Sequence, residues 1–124
     1  AASDVYKRQP EETLQAAYKA DFLADGEDKE ISVTLCALLL ESGQADEAVK
    51  RSHSSSLPLY EGVARIATGE RTEGIALLSD ALRRGEISPD RLREPLTLLD
   101  KYDIPDWERA LIYDTIILQS YEAK

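Results

Sequence analysis

Leu38-Leu39-Leu40-Glu41-Ser42-Gly43-Gln44-Ala45-Asp46-Glu47-Ala48 is the stretch on which the fold turns. It joins an apolar run to a glycine, and the glycine to small residues at helical spacing. Upstream, Ile31, Val33, Leu35, Cys36, Leu38, Leu39 and Leu40 make the segment from Lys29 to Ser42 apolar nearly all round. Such a run is either a buried strand or a buried helix, because periodicity alone does not separate the two. Its length, its Ala and Leu content and the Gly43 stop favour the helix, and Asp28 stands ready as its N-cap. Downstream, Ala45, Ala48 and Val49 face inward on a brief helix that ends near His53. Two helices joined by a tight turn account for the whole phrase.

The same grammar extends in both directions. A first helix opens at Pro10, where the missing N–H costs nothing and Glu11 and Glu12 suit the positive end of the dipole. Leu14, Tyr18 and Phe22 form its apolar stripe, and Gly26 supplies a stop. Around His53, the serines Ser52, Ser54, Ser55 and Ser56 mark a loop. Pro58 then opens a helix whose stripe is Leu59, Tyr60, Val63, Ile66 and Ala67, ending at Gly69. Thr72 to Arg84 follows, with Ile75, Leu78, Ala81 and Leu82 inward, Arg83 and Arg84 at the negative end, and Gly85 as the stop. Ser88-Pro89-Asp90 starts another helix. Pro95 leaves two readings: a helix bent near Arg91, or a turn followed by a fresh helix at Pro95. Leu92, Leu96, Leu99 and Tyr102 keep helical spacing through both. Asp103-Ile104-Pro105-Asp106 opens the last helix, whose broad apolar face holds Trp107, Leu111, Ile117, Leu118 and Tyr121. Trp107 and Tyr121 are expected to fill the core there. The prediction is an all-α chain of six or seven helices with antiparallel neighbours.

Stacked hairpins direct attention to internal repeats. Gly62, Gly69, Gly74, Leu78 and Ala81 repeat the order small residue, turn glycine, small, bulky, small, and Cys36, Gly43 and Ala48 share its first part. Small residues belong where two helices touch closely, and glycine where the chain reverses. In this pattern the chain resembles the tetratricopeptide repeats. Ala16, Ala20 and Leu23 before the central pair, and Ala110 after it, are weaker echoes. The departures are specific. Gly43 and Gly69 lie closer together than the family period of about 34 residues, Ser52 and Ser55 replace the bulky and small residues of one copy, and Arg65 stands where an aromatic is expected. The resemblance implies a TPR-like α-solenoid of degenerate repeats over residues 10–124. It implies a protein–protein interaction module, a scaffold or adaptor that binds an extended or helical peptide on the concave face. Carried over with a one-residue phase shift, that face holds Val33, Ala37 and Leu40 from one helix and Tyr60, Ala64 and Ala67 from another. The alternative within the same resemblance is a small chaperone for secreted subunits.

Composition narrows the classes. Twenty-four acids against 15 Lys and Arg give a net charge of −9, which argues against nucleic acid, since that binding draws on cations that release counterions. The run Leu35 to Leu40 is too short for a bilayer, so no membrane role is expected. Cys36 is the sole cysteine and His53 the sole histidine. Neither has partners for a metal cluster or a nucleophile–base pair, and no phosphate-binding glycine motif occurs. An enzyme is therefore not expected, nor a cofactor or metal. The chain begins at Ala1 and contains no methionine, which reads as a trimmed chain or a fragment. Ser3-Asp4-Val5-Tyr6-Lys7-Arg8-Gln9 resembles a translated sequencing adapter, so residues 1–9 are set apart from the domain as artefactual or disordered. A cytoplasmic location is the default expectation, a periplasmic one if a signal precedes the chain.

Overall fold

The Asp28 carboxylate accepts hydrogen bonds from the N–H groups of Glu30 at 2.9 Å and Ile31 at 3.2 Å. It caps the helix that the apolar run demands. The computed structural model describes residues 10–122, and among them every regular element is helical. They are α1 (Pro10–Leu23), α2 (Lys29–Glu41), α3 (Ala45–Ser54), α4 (Pro58–Ala67), α5 (Arg71–Arg83), α6 (Pro89–Thr97), a 3-10 turn (Leu98–Tyr102) and α7 (Asp106–Glu122). The expectations for residues 1–9 lie outside the described residues.

Helices α1 to α5 all stop in the same way. In each, the N–H two residues past the helix cap donates to the carbonyl five residues back: Gly26 to Asp21, Gln44 to Leu39, Leu57 to Ser52, Glu70 to Arg65 and Glu86 to Ala81, at 2.8–2.9 Å. This closure needs one residue in the left-handed region just before that donor. Gly43, Gly69 and Gly85 fill that place, but in α1 and α3 it falls to Asp25 (φ 55°) and Ser56 (φ 56°). The serine-rich stretch is thus not a loop throughout. Ser52 and Ser54 belong to α3, and the Ser52 hydroxyl, fully buried, donates back to the Ala48 carbonyl at 2.6 Å.

Sequence neighbours pack on one another from α1 through α5, and α7 packs on α5. Between α4 and α5 the approach is so close that a β-carbon on Gly74 would lie 2.6 Å from the Gly62 carbonyl oxygen and from Ile66 Cγ1. One on Gly62 would run into Leu78. At the other end a polar clamp ties three helices: Arg51 of α3 forks onto the Asp21 carboxylate of α1 and donates to the Ser32 hydroxyl of α2 at 2.8 Å. Both ends share one core, in which Leu35, Leu39, Leu78, Leu92, Leu99 and Ile116 are buried.

The region around Pro95 follows neither expected alternative in full. α6 passes through Pro95 as one element and tightens directly afterwards, with the Leu98 N–H donating to the Pro95 carbonyl. The 3-10 turn ends at Asp103, left-handed at φ 60°. α6 folds back onto α4, and this turn onto α2 and α4.

Three aromatic assignments are corrected. Phe22 is 80% exposed, Trp107 68% and Tyr121 65%. α7 carries two apolar stripes, and the one turned to the core is Ile112 and Ile116. α1 likewise turns Leu14 and Ala17 inward, leaving Phe22 on the far side. No described helix is long and apolar enough to cross a membrane.

Candidate functional site

Two helix starts and one fold-back make a broad cleft. The Asp28 cap fixes where α2 begins and so puts Lys29 and Val33, one turn apart, on the same side. The Ser56 stop and Pro58 in the first turn of α4 bring Leu57, Leu59 and Tyr60 beside them. The third wall comes from Ile87 and from Arg91, Glu94 and Pro95 of α6. The resulting cleft encloses about 860 Å³.

Its surface is mostly aliphatic and aromatic, with Val33, Leu57, Leu59, Ile87 and Pro95 around Tyr60. Burial raises the Tyr60 phenol above its usual pKa, and the Glu94 carboxylate and Cys36 add to the shift. Tyr60 therefore stays neutral, offering a ring to an apolar group and a hydroxyl to a polar one. Two cations, Lys29 and Arg91, and two acids, Glu86 and Glu94, line the cleft as well. On a chain of net charge −9 this locality is balanced, so an incoming apolar segment meets two charges of each sign rather than a repelling field.

Of the six residues expected to line one concave face, Val33 and Tyr60 meet in this cleft. Ala37 and Ala67 are half-buried outside it. Leu40 and Ala64 are fully buried and offer no side-chain surface. The reason is the fold-back: α6 packs on α4 and the 3-10 turn on α2 and α4, and the Tyr102 hydroxyl donates to the Leu40 carbonyl at 2.8 Å. A continuous line of six is thereby cut to its first part. The residues that sequence reading did not collect, Ile87, Arg91, Glu94 and Pro95, reach the site only through that long-range contact. The one signal for them was Pro95, which marks where α6 departs from the earlier hairpins.

His53 sits on the last turn of α3 and not in a loop. Its Nδ1 lies 3.3 Å from both oxygens of Glu61, a nearly buried carboxylate that also accepts from Arg65 Nε at 3.0 Å. Of the neighbouring serines, Ser52 donates to the Ala48 carbonyl, Ser54 to the Arg51 carbonyl and Ser55 to the Ser32 hydroxyl, and these three are engaged away from the imidazole. The arrangement staples α3 to α4. Cys36 is buried, and burial pushes its thiol up to about 11, which makes it a packing residue rather than a nucleophile. Among the described residues no group of three or more His, Cys, Asp or Glu gathers as a metal site. No protein-family model, curated protein or solved structure matches the chain.

Proposed function

We propose that this chain is a protein–protein interaction module, a TPR-like array of helical hairpins that grips an apolar helix or peptide of a partner in the cleft between α2, α4 and α6. The observation that carries the reading is the cleft itself: an open volume of about 860 Å³ with Val33 and Tyr60 on its walls. Clefts of this size and composition suit a few anchoring side chains from an amphipathic segment. The chain supplies an example of such an occupant. Its own 3-10 turn, with Leu99 buried, lies on α2 and α4, two of the helices that wall the cleft. A partner helix would extend that packing into the space left open. The serial packing from α1 to α5 and the common helix stop favour the repeat reading, with α6 as the element that departs from a simple solenoid.

The test is quantitative capture from native lysate by the full chain and by the double variant Val33→Asp/Tyr60→Asp. A partner retained by the parent and lost at least tenfold by a variant that still melts cooperatively supports the cleft. Equal recovery by both proteins, or capture of nothing, removes it.

A further inference from the structure

The two end helices each carry an apolar stripe that no described helix covers. On α1 it is Phe22 and Leu23, 80% and 73% exposed. On α7 it is Trp107, Leu111 and Leu118, 68%, 57% and 59% exposed. α1 packs inward on α2, and α7 on α5 and α6, so the stripes lie on the outer sides of helices from different parts of the stack. Beside the apolar side chains each has an exposed charge, and the two are of opposite sign. Lys19, exposed, lies one turn before Phe22 and Leu23; Asp114, exposed, lies between Leu111 and Leu118. The described ion pairs include neither.

We infer that the outer face of α1 on one copy of this chain docks against the outer face of α7 on a second copy, head to tail. Lys19 and Asp114 decide the pairing. Two α7 faces brought together would set Asp114 against Asp114, and two α1 faces Lys19 against Lys19. The mixed pairing sets Lys19 against Asp114 and surrounds the pair with the apolar side chains of both stripes, which is the arrangement electrostatic complementarity selects. In the antiparallel register used by the chain's own neighbours, Phe22 and Leu23 meet Leu111 and Trp107, and Ala16 lies under Leu118. The five apolar side chains expose on the order of 600 Å² together, which with their flanks reaches the small end of specific interfaces. Association is therefore weak. Because the two faces differ, it does not close on itself at a dimer.

Head-to-tail docking has a signature that a symmetric dimer lacks. The measurement is sedimentation velocity of the full chain between about 10 µM and 1 mM, the range a small interface calls for. Emission of Trp107, the sole tryptophan, provides a second readout. Expected for the parent are a weight-average mass that climbs past that of a dimer and emission that moves to the blue. Phe22→Asp and Leu111→Asp, both at solvent-exposed positions, each remain monomeric alone. Mixed one to one, they form a dimer and grow no further, since one retains only the α7 face and the other only the α1 face. Asp114→Lys weakens self-association at least threefold, and adding Lys19→Glu restores it. A parent that stays monomeric throughout, a Phe22→Asp or Leu111→Asp protein that still dimerises alone, or a mixture that does not pair overturns the inference.

Discussion

The α4–α5 hairpin and the terminal helix α7 use apolar residues in opposite ways. The hairpin is held close by what two side chains lack, with Gly74 against the backbone of Gly62. α7 carries the chain's sole tryptophan and leaves it 68% exposed. Size and hydrophobicity therefore do not rank these positions by their importance to the fold. What ranks them is which side of the helix has a neighbour. A glycine with a backbone 2.6 Å from its absent β-carbon matters more to the monomer than an indole with water around it.

That comparison is most directly broken at Gly74. Gly74→Leu is expected to cost about 3 kcal/mol or more, since its β-carbon meets backbone that cannot move aside. A urea midpoint unchanged from the parent would mean that the two helices do not touch there. Next comes the clamp at the far end of the stack. Asp21→Ala leaves the half-buried Arg51 guanidinium without its counter-charge and should cost about 2 kcal/mol by the same measurement. Cys36 gives an effect of pH. Its folded pKa of about 11 lies above the usual thiol value, so the unfolded chain loses this proton first. Its contribution is complete below about pH 8.5 and is lost as pH rises through 11, amounting to about 2 kcal/mol near pH 10.5. Cys36→Ser should flatten that part of the stability–pH curve. Ser56→Gly removes a side chain from a left-handed position and should raise stability by about 0.5–1 kcal/mol; a fall in melting temperature would show that the serine is held there by something else. The smallest effect belongs to Trp107→Ser, which should change monomer stability by less than about 0.5 kcal/mol, measured at a concentration too low for self-association.

Much of this was legible in the sequence, and the misses have a common cause. Helical spacing located the helices within a few residues, apart from the end of α6, and the pattern from Gly62 to Ala81 anticipated the close approach of α4 and α5. Periodicity reports that a helix has an apolar side but not which of two such sides faces inward. α7 has both, Ile112 and Ile116 within and Trp107, Leu111 and Leu118 without, and sequence reading merged them into one broad face. Phe22 was misassigned for the same reason. The left-handed Ser56 escaped notice because serine signals a loop by composition, whereas here the backbone geometry places a single residue at a helix stop. The candidate site was half legible. Val33 and Tyr60 come from local phrases, but the burial of Leu40 and Ala64 depends on a segment that folds back from far along the chain.

The hydrogen bond from Tyr102 to the Leu40 carbonyl joins residues 62 apart in sequence, and this has a consequence during synthesis. Packing from α1 to α5 involves sequence neighbours and can proceed as each helix leaves the ribosome. The side of α2 and α4 that α6 and the 3-10 turn cover has no such neighbour. At roughly 5–20 residues per second, several seconds of translation separate Leu40 from Tyr102. For that interval the nascent chain presents an unlatched apolar surface, and the last third of the sequence is what withdraws it.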